Sequence, residues 1–325
     1  MTPLERALRE RIQAEGPISV EAFMEACNSY YYATRDPFGA DGDFTTAPEI
    51  SQMFGEILGA ALAEVWKRAG APADAIYAEL GPGRGTLAAD ALRVLRSAGW
   101  AGEVHFVETS PVLRQAQAKA VPGAHWHDLV EDLPARPLLL VANEFLDALP
   151  IVQTADGVER RVQVAAGGLA FDRDGEIAES SPARDAVVSA IALCVAERGG
   201  AAIIIDYGHE RNAAGDTLQA VRSHRFAPVL ERPGEQDLTA HVDFEAAARA
   251  ASNAGAGVTR VVPQGEWLIR LGIESRARAL SRANPERARD VEASLQRLTS
   301  ADGMGNLFKV LALHSPKWPA PAGFA

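Results

Sequence analysis

The sequence predicts an α/β protein built on a mainly parallel sheet, with an N-terminal helical extension and an antiparallel β insert. From Ile76 onward, short apolar strands alternate with amphipathic helices, a pattern typical of right-handed βαβ units. Residues 1–72 instead show helical periodicity. Residues 151–175 alternate between apolar and polar side chains around two tight turns, which is typical of a hairpin.

The N-terminal segment, residues 1–72, is predicted to contain helices separated by a polar loop. Ser19 is a suitable N-cap for one helix, and Ser51 begins another that ends at Gly70. The stretch between them, "YYYATRDPFGADGDFTTAPEI", is rich in Gly, Pro, Asp and Thr, which is typical of a loop. A polar loop of this length in a compact domain is functional or disordered.

The remaining residues, 73–325, are predicted to form the sheet domain, with two insertions. The first is the β-hairpin insert at about 151–175, with turns at Asp156-Gly157 and Gly167-Gly168. The second, at about 234–300, reads as a loop followed by helices, with Asp243 as a suitable cap. A strand in "NLFKVLALH" is expected to close the sheet.

Composition excludes several classes of protein. The net charge of −11 argues against non-specific binding to nucleic acid or anionic lipid. The chain has 2 cysteines and no Cys/His spacing suited to zinc, so no metal site is expected. No apolar run approaches the roughly 20 residues of a membrane helix, so no membrane insertion is expected. The N-terminus has no apolar core and contains several acids, unlike a secretory or mitochondrial leader, which predicts a cytoplasmic protein.

The turn in "ELGPGRGTL" is the first candidate ligand site. Gly81, Gly83 and Gly85 follow the strand that ends at Leu80, and ligands of α/β sheets bind beyond the carboxyl ends of strands. Glycine permits positive φ and lets a ligand lie against the backbone. Thr86 is expected to cap the next helix. The alternative is that the glycines only form a tight structural turn.

Two acids flank this turn and indicate the ligand. Glu108 ends the next strand, where an acid typically accepts hydrogen bonds from the two hydroxyls of a ribose. NAD and S-adenosylmethionine both carry a ribose, but NAD sites use the spacing G-x-G-x-x-G rather than G-x-G-x-G. Glu79 would repel a pyrophosphate and attract the ammonium or sulfonium of S-adenosylmethionine. The sequence therefore favours S-adenosylmethionine.

The stretch "HWHDL", which follows the third helix, is expected to border the adenine. Trp126 is suited to stack on the base and Asp128 to accept from its exocyclic amine. The alternative interpretation makes Trp126 an ordinary core residue and Asp128 a helix cap. Both interpretations remain open on the sequence alone.

The candidate chemistry lies at the ends of two further strands. Asn143 and Glu144 end the fourth strand, where an amide and a carboxylate can orient a nucleophilic nitrogen and receive its proton. Asp206, at the end of the strand in "IIIDYGH", is a second candidate acid. The alternative for Asp206 is structural, because strand-end acids often cap helices or bind loop amides.

Several separated motifs carry a family resemblance. They are "DPFGADGDFTTAPEISQMFGEILG", "ELGPGRGTLAADALR", "VETSPVLRQAQ", "NEFLDALPIVQ", "IDYGH", "GEQDLTAHVDF", "QGEWLIRLGI" and "MGNLFKVL". With them the chain resembles the MidA-like class I S-adenosylmethionine-dependent methyltransferases. That group includes the mitochondrial protein-arginine methyltransferase that assists assembly of respiratory complex I.

The resemblance implies a Rossmann-like class I methyltransferase sheet and transfer of a methyl group to an arginine of a partner protein. It implies as the partner a subunit of a respiratory NADH–quinone oxidoreductase. It also implies that the loop with Thr45 folds over the cofactor, that Thr109 belongs to the cofactor site, and that His241 lies near the mouth as a candidate proton acceptor. The oligomeric state is not indicated.

Two other functions remain as hypotheses. The first is an assembly chaperone for a respiratory complex, in which the cofactor only stiffens the fold. The second is an NAD-dependent oxidoreductase, which the glycine spacing and Glu79 disfavour.

Overall fold

The computed structural model describes residues 1–34, 46–211, 214–222 and 225–324. Its helices are α1 Pro3–Glu15, α2 Val20–Thr34, α3 Ala47–Ile50, α4 Gln52–Arg68, α5 Thr86–Ser97, α6 Pro111–Ala120, α7 Pro182–Arg198, α8 Phe244–Asn253, α9 Gln264–Arg270, α10 Ile273–Ala283, α11 Ala288–Thr299 and α12 Met304–Leu307. Its strands are β1 Ile18–Ser19, β2 Ile76–Leu80, β3 Val104–Val107, β4 His125–His127, β5 Leu138–Asn143, β6 Val152–Ala155, β7 Val158–Glu159, β8 Arg161–Ala165, β9 Gly168–Phe171, β10 Ile177–Ser180, β11 Gly200–His209, β12 Gln219–Arg222, β13 Arg225–Ala227, β14 Asp237–Thr239, β15 Val242–Asp243, β16 Gly257–Val258, β17 Val262–Pro263 and β18 Phe308–His314.

The central sheet has the strand order β4-β3-β2-β5-β11-β18-β16. Strands β4, β3, β2, β5 and β11 are parallel, whereas β18 runs antiparallel to β11. In register, Leu80 lies opposite Val107 and Ala142, and Asn143 lies opposite Ile205. The carboxyl ends of these strands therefore meet at one edge of the sheet, which is where ligands bind in such folds.

Amphipathic helices cover both faces of this sheet with their apolar sides. In β2, Tyr77 packs into the cluster formed with α4 and α5, while Ile76 and Leu80 pack into the cluster formed with α7 and α8. This alternation follows from the period of two along a strand. Because Glu79 follows Tyr77 by two residues, its side chain lies on the same face of the sheet as that of Tyr77.

The antiparallel insert is longer than the predicted hairpin. The predicted turn at Asp156-Gly157 joins β6 to β7. The second turn joins β8 to β9 but lies at Ala166-Gly167, one residue before the predicted Gly167-Gly168. The insert then continues to β10, which ends at Ser180, and β8 pairs with β1 of the N-terminal segment. A third apolar cluster joins α1 and α2 to this insert.

The segment at about 234–300 contains the expected helices, α8 to α11, but it also contains four short strands that the sequence did not predict. Asp237–Thr239 forms β14, which pairs with β12. Strands β15, β16 and β17 join β11 or β18 in the central sheet. Strands of two or three residues are too short to show a period of two, so the sequence pattern did not reveal them.

The caps agree with the sequence at three of four helices. Ser19, Ser51 and Asp243 each accept a hydrogen bond from a backbone N–H at the start of the helix that follows. Thr86 is not a cap: it is the first residue of α5, and Gly85 occupies the cap position with a φ of 85°. No described helix is long and apolar enough to cross a membrane.

Candidate active site

A cavity of about 1200 Å³ opens at the carboxyl edge of the parallel strands. Its lining includes Gly81, Gly83 and Glu108 as well as Asp237 and His241. Residues from α2, from the loop after β5 and from β12–β14 complete its walls. The fold thus brings the predicted ligand turn and the predicted chemistry into one continuous space.

The three glycines of the turn have different surroundings. Gly81 and Gly83 line the cavity, with φ values of 57° and 53° that favour glycine. A Cβ on Gly81 would lie 2.7 Å from the Phe145 ring, so a side chain there has no room. Gly85 instead faces α6, where its Cβ would meet Ala120 at 3.2 Å. The structure therefore places Gly85 in helix packing rather than against a ligand.

Glu79 is buried, with 2% of its surface exposed, and it accepts a hydrogen bond of 2.5 Å from the Tyr77 hydroxyl. Burial raises its pKa to about 8. With Asn143, Glu144 and Thr46 it lines a smaller cavity of about 40 Å³. Among the described residues, the buried Asn143 Oδ1 has no hydrogen-bond partner. This small cavity therefore presents oxygen acceptors to a cation.

Glu108 reaches the cavity from the end of β3, and Thr109 lines the cavity beside it. The Glu108 carboxylate accepts hydrogen bonds from the Ser110 backbone N–H at 2.8 Å and from the Gln117 amide at 3.1 Å. Burial raises the pKa of Glu108. The contacts fix the carboxylate while leaving lone pairs for hydroxyl donors.

The two residues proposed for the adenine side are held by neighbours on α6. The Trp126 indole is partly buried and donates to the Gln117 amide oxygen at 2.8 Å. Asp128 is largely exposed and pairs with Arg114 at 2.6 Å. The contacts of both side chains with a base stay predictions.

Glu144 lies where the two cavities meet, on a turn that needs a left-handed backbone, with a φ of 50°. Its Oε1 accepts from the Ala47 backbone N–H at 3.0 Å and from the Asn143 amide at 3.2 Å. Burial raises the pKa of Glu144 to about 7. A carboxyl with that pKa exchanges a proton readily near neutral pH.

Asp206 is a positioning residue in this structure rather than a second catalytic acid. It is fully buried, and its Oδ2 accepts from three successive backbone N–H groups, those of Phe145, Leu146 and Asp147, at 2.9–3.2 Å. Its Oδ1 accepts from the Tyr207 backbone N–H. Both oxygens are thus occupied in holding the turn that follows Glu144, which is the structural alternative that the sequence left open.

His241 lines the same cavity as Glu144. Its ring packs edge-on against Tyr207, with centroids 5.5 Å apart, and lies 4.9 Å from the His209 ring. Burial and the neighbouring His209 lower the pKa of His241, which favours the neutral ring. Within the described part of the chain, its buried Nδ1 has no hydrogen-bond partner.

The predicted covering loop is described only from Thr46 onward. The proposed cofactor residue Thr45 lies outside the described residues. Thr46 lines the small cavity, and the next residue, Ala47, donates to Glu144. This end of the loop is therefore in contact with the site.

Sequence reasoning missed a polar stripe on α2. Glu21, Glu25, Asn28 and Tyr32 all line the large cavity. The Tyr32 hydroxyl donates to Asp237 at 2.8 Å, and the Asn28 amide donates to the backbone carbonyls of Ala148 and Leu238. Their spacing of three and four residues puts them on one helix face, a signal present in the sequence.

A family model described as an S-adenosyl-L-methionine-dependent methyltransferase matches residues 57–172 and 155–262 of this chain. The chain belongs to this family. A crystal structure of a Burkholderia thailandensis protein bound to S-adenosylhomocysteine superposes with a TM-score of 0.87 at 28% identity, covering 99% of this chain and 94% of that one. The comparison confirms the predicted fold class.

Curated relatives of this methyltransferase cover almost its whole length. The mitochondrial protein arginine methyltransferase NDUFAF7 homolog of Drosophila melanogaster is 34% identical and covers 99% of this chain and 88% of the relative. The human mitochondrial protein arginine methyltransferase NDUFAF7 is 30% identical, with coverage of 96% and 83%.

The expectation of a cytoplasmic protein is wrong by this comparison, because these relatives are named as mitochondrial. That expectation rested on the acidic residues near the N-terminus. These acidic residues belong to one short segment, and they do not indicate the cellular compartment of homologous proteins.

Proposed function

We propose that this methyltransferase transfers a methyl group from S-adenosylmethionine to a side-chain nitrogen of an arginine in a partner protein. The observation that carries the proposal is the continuous cavity, which joins the glycine turn and Glu108 to Glu144, Asp147 and Asp237. A nucleoside site at one end and buried acids at the other suit a cationic acceptor. The arginine methyltransferase names of the relatives support the same acceptor.

The residues at the glycine end fit S-adenosylmethionine. Gly81 and Gly83 leave the backbone bare, Glu108 suits the ribose hydroxyls, and Glu79 with Asn143 Oδ1 suits the methionine ammonium. We include Thr109, which lines the cavity, in this site. When bound, the cofactor supplies a methyl carbon made electrophilic by a positively charged sulfur.

At the other end, Glu144 is the proposed proton acceptor. In the transfer, a nitrogen–carbon bond forms, the carbon–sulfur bond breaks, and one proton must leave the nitrogen. A guanidinium has a pKa above about 12, so the enzyme has to anchor the cation and take its proton. The pKa of Glu144, about 7, makes it a stronger base than an ordinary carboxylate. Asn143 orients this carboxylate through its amide, and His241 is a further candidate acceptor at the mouth.

We propose as the partner a subunit of the respiratory NADH–quinone oxidoreductase. Support comes from the family resemblance of the separated sequence motifs and from the mitochondrial names of the relatives.

The test compares cells that lack the gene with cells complemented by the wild type or by Glu144→Gln. Mass spectrometry searches the proteome for arginines that carry methyl groups only when the wild type is present. We expect Glu144→Gln to lower the transfer rate by roughly 10²–10⁴-fold while it still binds S-adenosylhomocysteine, because only proton transfer is removed. Gly83→Val, which places a side chain in the cavity, serves as the binding-deficient control.

The result that contradicts the proposal is a proteome with no arginine that depends on the gene. If Glu144→Gln restores methylation fully, the assignment of Glu144 is wrong. If it restores assembly of the respiratory complex without methylation, the chaperone hypothesis takes the place of this proposal.

A further inference from the structure

Three exposed apolar side chains line the large cavity where it opens to solvent. Phe226 on β13 is 79% exposed, Leu129 after β4 is 59% exposed, and Leu307 at the end of α12 is 47% exposed. All three line the cavity, although they come from separate parts of the chain. We call these three residues the apolar rim. Apolar residues from separate elements gathered at one opening indicate a binding surface rather than random exposure.

Inside the rim the cavity is acidic. Asp147 and Asp237 are buried, with 6% and 5% exposed, and both line the cavity together with Glu144. Glu21 and Glu25 add two carboxylates on the α2 wall. A chain segment that binds here therefore meets carboxyl groups in the interior, whose ionised form a bound cation favours, and apolar surface at the edge. Charge complementarity selects a cationic side chain for the interior.

The volume of the cavity exceeds what one small ligand needs. Small-molecule sites measure roughly 300–1,000 Å³, whereas this cavity measures about 1200 Å³ and already includes the glycine end. The end with Asp237 and Phe226 therefore has room for more than a single side chain. An extended polypeptide fits this shape, because its central side chain can enter while its neighbours stay at the mouth.

We infer that the apolar rim binds a segment of the partner protein in which the modified arginine is flanked by apolar side chains. This inference rests on the proposed function and specifies the sequence around the target. The guanidinium lies among the acids, and the flanking side chains bury against Phe226, Leu129 and Leu307. Burial of the flanking side chains at the rim then favours arginines with apolar neighbours over other arginines of the same charge.

The experiment measures the binding of two fluorescent peptides of equal length and charge to the full chain, by anisotropy, in saturating S-adenosylhomocysteine. One peptide has leucine on each side of a single arginine, and the other has serine there. The wild type is expected to bind the leucine peptide about tenfold more tightly, since two partly buried leucines supply that difference. In the double variant Phe226→Ser, Leu307→Ser, the preference is expected to fall to about twofold or less.

A matched control uses Leu193→Ser, because Leu193 on α7 has the same 47% exposure as Leu307 and lies away from the rim. This variant should keep the wild-type preference. Equal binding of the two peptides by the wild type, including no binding of either, overturns the inference. An undiminished preference in the double variant also overturns it. Methylation of the peptides, read by mass spectrometry, tests the proposed function separately, because the binding assay requires no transfer.

Discussion

Glu79 shows at the scale of one residue how burial prepares a site for a cation. The side chain is 2% exposed, and burial raises its pKa from 4.5 to about 8. At pH 7 this carboxyl holds its proton for most of the time in the free protein. A cation bound beside it favours the ionised form and lowers that pKa. Under the proposed function, the burial of Glu79 links ligand binding to proton release.

The first prediction is that binding of S-adenosylhomocysteine at pH 7 releases about 0.5–1 proton per molecule. Titration calorimetry in phosphate and in Tris measures this number, because the two buffers differ in their enthalpy of ionisation. Glu79→Gln lacks this carboxyl proton, so its measured heat should differ between the two buffers by less than half as much as that of the wild type. A wild type that binds without releasing protons contradicts the assigned role of Glu79.

The strand-end rule accounts for most site residues that the sequence revealed. Glu79, Glu108, Asn143 and Glu144 sit at the ends of apolar runs, and parallel strands bring those ends together. The same rule cannot distinguish an acid that faces the cavity from one that binds backbone amides. Asp206 belongs to the second kind because the chain after Glu144 folds back over it, a long-range event with no local signal.

At the scale of elements, Arg184 ties together the two loops that carry the acids and His241. It lies near the start of α7 and is buried, with 7% exposed. Its guanidinium donates to the backbone carbonyls of Leu146 and Asp147 after β5, and to those of Ala240 and His241 after β14. One planar group with several fixed donors satisfies four acceptors at once. Nothing in the sequence around Arg184 marked it as part of the site.

The second prediction concerns Arg184→Lys. Lysine keeps the charge but lacks the planar guanidinium with its several N–H donors, so buried carbonyls lose their hydrogen bonds. We expect the free energy of unfolding to fall by roughly 2–4 kcal/mol. Urea denaturation followed by circular dichroism measures this change. Arg282→Lys, at the exposed end of α10, is the matched control and should change stability by less than about 0.5 kcal/mol. If both variants unfold at the same urea concentration, Arg184 does not hold the loops.

Elements of adequate length were predictable, whereas short ones were not. Long elements have clear signals: helices such as α4 and α7 show a helical period, and strands such as β5 and β11 are apolar runs. The capping residues and glycines that end them lie in the adjacent sequence. Strands such as β15 and β17 have two residues each and exist only because a neighbouring strand offers hydrogen bonds. Their formation depends on tertiary contacts, which override any local propensity.

At the scale of the whole molecule, the site is assembled from distant parts of the chain. Asn28 of the N-terminal segment hydrogen-bonds Ala148 and Leu238, and Ala47 hydrogen-bonds Glu144. The cavity therefore forms only when the complete fold forms. Several carboxyls are buried in this assembly. Burial disfavours their ionised form, so at neutral pH they lower the free energy of unfolding.

The last prediction is that stability falls as pH rises from 6.5 to 8. Glu79 and Glu144 have pKa values of about 8 and 7 in the folded protein, against about 4.5 in the unfolded chain. Over this interval the folded state binds more protons than the unfolded state, so the free energy of unfolding decreases with pH, by about 2 kcal/mol in total. His105, whose pKa is lowered to about 4, has the opposite effect mainly below its unfolded value of 6.5, and above that value it offsets only about 0.4 kcal/mol of this decrease.

Urea denaturation at the two pH values measures this decrease. Glu79→Gln should reduce it to less than about 1 kcal/mol, because the larger of the two shifts is removed. The exposed Glu286→Gln should leave it unchanged. Added S-adenosylhomocysteine should stabilise the wild type more at pH 8 than at pH 6.5, since the binding that releases a proton is favoured where protons are scarce. Stability that rises over this interval would show that these carboxyls are already ionised in the free protein, and the link between burial and cation binding would be lost.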